Sequence, residues 1–117
     1  MKIVCADKDF GHGCDFAKIL SSKRVELFEM KTCTLSLSDA SRAIEELRAT
    51  KSDLISKGMV NDGCIFQMFI IHVKKGHCRT DIFASMLLQS KSIGVLRADD
   101  EEVSQLLSQL LEVCKDS

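Results

Sequence analysis

The stretch Asp15-Phe16-Ala17-Lys18-Ile19-Leu20-Ser21-Ser22-Lys23-Arg24-Val25-Glu26-Leu27-Phe28-Glu29-Met30-Lys31 admits two readings, and the choice between them sets the fold. In one, residues 15–20 form a strand that turns at Ser21-Ser22-Lys23 and returns over residues 25–31. Partners in an antiparallel pair have residue numbers of constant sum, and a turn centred on Ser22 makes that sum 44. Ile19 then faces Val25, Ala17 faces Leu27 and Asp15 faces Glu29 on one side of the ribbon, with Lys18 facing Glu26 and Phe16 facing Phe28 on the other. Apolar groups meet apolar groups, a ring meets a ring and an ammonium meets a carboxylate, as cross-strand neighbours do in a stable sheet. In the second reading residues 15–22 are a short helix, because apolar positions 16, 17, 19 and 20 also suit a helical face, and the chain becomes strictly alternating β/α.

The flanks are less ambiguous. Residues 2–6 read as a strand, and Asp7, Asp9, Gly11 and Gly13 mark a turn after it. Ser36 or Ser38 can cap a helix reaching about Lys57, with Ala40, Ala43, Ile44, Leu47, Leu54 and Ile55 at helical spacing and Gly58 as its stop. After the Asn61-Asp62-Gly63 turn, residues 64–73 are almost continuously apolar, the mark of a central strand covered on both faces. Thr80 is expected to cap a second helix with Ile82, Phe83, Met86 and Leu87 inward, and residues 92–97 read as a further strand. Asp99 and Asp100 open the last helix, whose Val103, Leu106, Leu107, Leu110, Leu111 and Cys114 form one apolar stripe. The acidic run at its start suits the positive end of the helix dipole. With the hairpin, the order is β-β-β-α-β-α-β-α, and the expectation is a single α/β domain over residues 1–117, three-layered, with a mixed sheet flanked by helices.

Bulk properties narrow the function. A net charge of −1 and a pI near 6.3 give no overall cationic field, so nucleic-acid affinity must come from a local basic cluster or a bound metal. There is no proline, repeat or low-complexity linker to suggest a second domain. Cys5, Cys14, Cys33, Cys64, Cys78 and Cys114 are scattered without a CxxC, and read as six buried thiols in a reducing compartment, cytoplasmic or nuclear. A charge follows each short apolar run at the N-terminus, unlike a signal peptide, and the longest apolar stretch is too short to span a bilayer.

One constellation carries chemistry. Glu29 and Lys31 lie two apart in a strand and so project from one face, where the hairpin register adds Asp15. Two opposed carboxylates repel, and a hard cation such as Mg²⁺ or Mn²⁺ would turn that repulsion into a binding site. Such an ion polarises a phosphodiester oxygen and acidifies a bound water. Lys31 beside it can orient that water or offset developing charge.

At these residues the chain resembles the PD-(D/E)xK, or restriction-endonuclease-like, nuclease superfamily. Gly13-Cys14-Asp15-Phe16 stands where that family has its Pro-Asp, and Leu27-Phe28-Glu29-Met30-Lys31-Thr32 matches its apolar E-x-K strand, followed by helix and buried strand. The resemblance implies Asp15 and Glu29 as metal ligands, the Met30 carbonyl as a third, Lys31 as the catalytic lysine, and Mg²⁺ or Mn²⁺ as cofactor. The chain departs from the family in having Cys14 in place of the proline and no helix before the first strand. A homodimer, or a further chain or segment supplying that helix, would complete the pattern.

The most basic stretch, residues 72–79, reads either as a phosphate-binding loop through Lys74, Lys75, His77 and Arg79 or as a polar loop leaving the sheet. His72, His77, Cys78 and Cys64 lack the paired spacing of a zinc site, and Gly11-His12-Gly13 lacks the pattern of a phosphate loop. Two functions therefore compete: a metal-dependent nuclease acting on DNA or RNA, and a non-catalytic interaction module on a degenerate nuclease or doubly wound fold.

Overall fold

The computed structural model describes residues 1–73 and 79–115. Its elements are β1 (Lys2–Val4), α1 (Ala6–Phe10), β2 (Phe16–Ser21), β3 (Arg24–Thr32), α2 (Leu37–Ser56), β4 (Ile65–Val73), α3 (Ile82–Ser90), β5 (Ile93–Arg97) and α4 (Glu101–Cys114). The five strands form one mixed sheet in the order β1-β2-β3-β4-β5, antiparallel through β3 and parallel from β3 to β5. The arrangement is α/β with helices on both faces of the sheet.

The hairpin reading holds, register included. Phe16 pairs with Phe28, Ala17 with Leu27, Lys18 with Glu26 and Ile19 with Val25, and a bulge then brings Ser21 opposite Arg24. The helical alternative for residues 15–22 is excluded. The element order gains α1, a five-residue helix where the sequence suggested only a turn. It ends at Gly11, whose φ of 78° is the left-handed stop that glycine accommodates without a Cβ clash.

Each face of the sheet has its own core. On one, Val25, Leu27 and Ile70 pack against Ala40, Ala43, Ile44 and Leu47 of α2, Ala84 and Leu88 of α3, and Ala6 of α1. On the other, Phe16, Phe28 and Ile71 pack against Leu110 of α4, with Ile3, Phe69 and Leu96 beside them, so the cluster that includes α4 draws side chains from all five strands. Helix α2 begins with a capping box, in which the Ser36 hydroxyl accepts from the Asp39 N–H and the Asp39 carboxylate accepts from the Ser36 N–H.

Several facing expectations are corrected. Asp81, not Thr80, caps α3, its carboxylate accepting from the N–H groups of Phe83 and Ala84. On α3, Ala84 and Leu88 point inward, whereas Ile82, Phe83 and Met86 are 69%, 63% and 59% exposed. Nine residues with apolar groups on nearly every side leave the period unable to choose a face, so the fit against α2 and β5 decides it. Leu111 likewise leaves the α4 stripe, and Ile65 at the start of β4 is exposed because burial is complete only from Ile70 to His72.

The expectation of six thiols is also overturned. Cys5 and Cys114 form a disulfide across 109 positions of sequence, and Cys33 is disulfide-bonded as well. The pairing is invisible locally because it depends on α4 ending beside the exit of β1. Cys14 and Cys64 are free, and burial pushes the Cys14 thiol up to about 11, which keeps it protonated. Cys78 lies outside the described residues. Among the described residues no helix is long and apolar enough to cross a membrane.

Candidate active site

Asp15 sits immediately before β2, and Glu29 and Lys31 lie on β3, on the face covered by α2. The two carboxylates exchange backbone donors across the hairpin. The Asp15 N–H donates to Glu29 Oε1 at 3.1 Å, and the Met30 N–H donates to Asp15 Oδ2 at 2.8 Å. Charge-assisted bonds to backbone N–H groups thus hold each acid on the opposite strand, offsetting part of the repulsion that the register implied. Lys31 acts in the same direction, its Nζ standing 3.5 Å from Glu29 Oε2 and 4.0 Å from Glu46 Oε2. Glu29 is only 4% exposed, and a charge buried that far needs such partners.

Helix α2 braces the Asp15 turn. The Cys14 N–H donates to Thr50 Oγ1 at 2.8 Å, and that hydroxyl donates to the Glu46 carbonyl at 3.2 Å. One turn further on, Asp53 Oδ2 lies 2.6 Å from His12 Nε2. From the other side the Asp7 N–H of α1 donates to the Cys14 carbonyl at 3.0 Å. Gly13 completes the fit: its φ is 106°, and a Cβ there would collide with Thr50 Oγ1.

The local field is negative. Burial pushes the Asp15 carboxyl above its ordinary value, opposed by the Met30 N–H and by Lys31. Burial raises Glu46 too, with the charges of Asp15 and Asp7 acting in the same direction. Glu29 and Glu46 flank the Lys31 ammonium, whose charge Asp15 also feels. Among the described residues no three His, Cys, Asp or Glu side chains are close enough together to hold a metal ion. Asp15 and Glu29 are the two acids that the hairpin itself brings side by side, with both Glu29 oxygens and Asp15 Oδ2 already engaged by the Asp15 N–H, Lys31 and the Met30 N–H.

Asp15, Glu29 and Lys31 are thus brought together. Met30 joins them through its backbone only, because its side chain packs on the α4 face. Lys74, Lys75 and His77 lie outside the described residues. Arg79 is exposed, and its carbonyl accepts from the Leu35 N–H at 2.7 Å, beyond the end of β3 that carries Lys31. His72, the β4 partner of Lys31, is buried, with Nε2 donating to the Cys33 carbonyl and Nδ1 facing the Thr80 hydroxyl at 3.3 Å. Both ring nitrogens are engaged, so His72 is a structural histidine rather than a ligand or base. Cys64 precedes the opposite end of β4, roughly 25 Å away for a strand of that length, which separates it from any site at His72.

Sequence reasoning missed Glu46 and Thr50. A signal was present, since both fall on the stripe defined by Ala43, Leu47 and Leu54, where polar residues interrupt an otherwise apolar helix face. Compared with protein-family models, with curated proteins and with solved structures, the chain matches none.

Proposed function

We propose that this chain is a divalent-metal-dependent nuclease domain with a restriction-endonuclease-like core, hydrolysing phosphodiester bonds in DNA or RNA. The observation that carries the reading is the convergence of Asp15, Glu29 and Lys31 on adjacent strands, with each carboxylate fixed by an N–H of the opposite strand. Preorganised charges of this kind do most of the work in phosphoryl chemistry. Asp15 and Glu29 would hold Mg²⁺ or Mn²⁺, with the Met30 carbonyl as a further ligand; when bound, the ion would polarise the phosphate and acidify a water. Lys31, tethered to Glu29, would offset charge developing on the oxygens of the phosphorane. Lys74, Lys75, His77 and Arg79 would engage the substrate backbone. A homodimer, or a helix supplied by a further chain or segment, belongs to the same reading. An intracellular location belongs to the same reading only through the proposed substrate, and the disulfide-bonded Cys5, Cys33 and Cys114 weigh against it, since disulfides are commoner in oxidising compartments.

The decisive experiment is cleavage of labelled duplex and single-stranded DNA and RNA with Mg²⁺ or Mn²⁺, wild type against Glu29→Ala. Loss of at least 10²–10³ in rate with an unchanged circular dichroism spectrum is expected. Intact substrates under all conditions, together with carboxylate NMR signals unmoved by Mn²⁺, would defeat the proposal. A second reading, a non-catalytic interaction module, is favoured by one observation, the exposed apolar face of Ile82, Phe83 and Met86 on α3.

A further inference from the structure

We infer that Glu46 is a positioning residue for the Lys31 ammonium, an inference that rests on the reading of Asp15, Glu29 and Lys31 as the nuclease site. Lysine is a flexible point charge, and a catalytic ammonium must be held near one place to help a single transition state. On β3 the only anchor the strand itself supplies is Glu29, two residues back, with Oε2 at 3.5 Å. One contact along a strand still leaves the side chain free to swing about it. Glu46 provides the second direction, approaching from α2 with Oε2 at 4.0 Å from the same Nζ.

Two features distinguish this from a casual surface ion pair. Glu46 Oε2 is shielded from solvent and has no hydrogen-bond partner among the described residues, although the side chain as a whole is 31% exposed, so the buried end of the carboxylate is directed inward toward Lys31. A buried acceptor without a partner is costly, and a lysine ammonium is the neighbour that reduces that cost. The second feature is the helix that carries Glu46. Thr50, one turn on, accepts the Cys14 N–H and donates to the Glu46 carbonyl, so one turn of α2 holds the Asp15 loop through its hydroxyl and brings its carboxylate within ion-pair distance of Lys31. Relative placement of the metal-binding acid and the ammonium is then set by a rigid helix rather than by two loops.

The test uses Glu46→Gln, which keeps shape and removes charge, with Glu46→Asp as the conservative control. The direct readout is NMR of the two Lys31 Hε protons, which resonate apart in a held side chain and together in a free one. In wild type they should be split, in Glu46→Gln merged, and in Glu46→Asp partly split. In cleavage assays on labelled DNA with Mn²⁺, Glu46→Gln should lose about 10- to 10²-fold in kcat with KM nearly unchanged, the size expected of a displacement near 1 Å. An Hε pair that stays split in Glu46→Gln, or a merged pair with wild-type kcat, overturns the inference. Failure of the wild type to cleave any substrate instead overturns the nuclease reading, and the Hε signals still decide separately whether Glu46 holds Lys31.

Discussion

The two faces of the sheet are built on different principles. Under α2 the packing is punctuated by charge: Asp15, Glu29, Lys31 and Glu46 sit among Leu27, Ile70 and Leu47, each held by a backbone N–H, an ion pair or the Thr50 relay. Under α4 the contacts are those of rings and aliphatic chains, including the Phe28–Phe69 stack at 5.4 Å, and the helix is fastened at its far end by the Cys5–Cys114 bridge. Hydrophobic contact is non-directional and tolerates small shifts, whereas charge-assisted hydrogen bonds fix position. The face that carries directional bonds is the one where chemistry can be placed, and the other supplies cover.

The contrast can be broken first at Gly13. An added methyl group would have to sit at φ 106° and enter the space of Thr50 Oγ1, so Gly13→Ala should cost about 2–5 kcal/mol in urea unfolding. The Asp15 and Lys31 resonances should shift with it while those of Leu106 and Leu110 do not. Equal shifts on both faces would mean that the faces are one unit.

Cys114→Ser examines the opposite face. Opening a loop of this length should lower stability by about 2–5 kcal/mol. Amide exchange should accelerate in the last turns of α4 and leave the Met30 N–H protected by Asp15. Faster exchange at Met30 would show that the bridge also supports the site, through Cys5 and the α1 segment that follows it.

The smallest effect concerns pH. The Asp15 carboxyl titrates above its ordinary value of 3.8, so in that window the folded chain holds more proton than the unfolded one. The contribution of this group to stability is therefore greatest in acid and declines as pH rises through the window, remaining low above it. Asp15→Asn retains an acceptor for the Met30 N–H but cannot titrate. From pH 3.5 to pH 7 its urea midpoint should gain on that of wild type; the reverse trend would mean that the Met30 N–H and Lys31 outweigh burial and hold the carboxyl below its ordinary value, and a flat difference would mean an ordinary solvated ion.

The parts that were legible in sequence share one property. The pairing of Phe16 with Phe28 and of Lys18 with Glu26, a serine cap at the start of α2 and the acidic start of α4 are all decided between residues at most a hairpin or a helical turn apart. For the same reason Asp15, Glu29 and Lys31 could be brought together by counting along one ribbon. Glu46 could not, since its relation to Lys31 requires knowing which face of α2 lies on β3.

Sequence alone therefore determined what register a hairpin over residues 15–31 takes and which charges it gathers, because cross-strand pairing repeats every two residues; it left a short helix open for residues 15–22, and the packed sheet chose the strand. Tertiary structure alone decided that Ala84 rather than Phe83 turns inward, that Cys5 meets Cys114, and that Glu46 and Thr50 reach the Asp15 turn. Those outcomes depend on what lies opposite each side chain after the helices close over the sheet, and burial against a partner is a property of the packed whole.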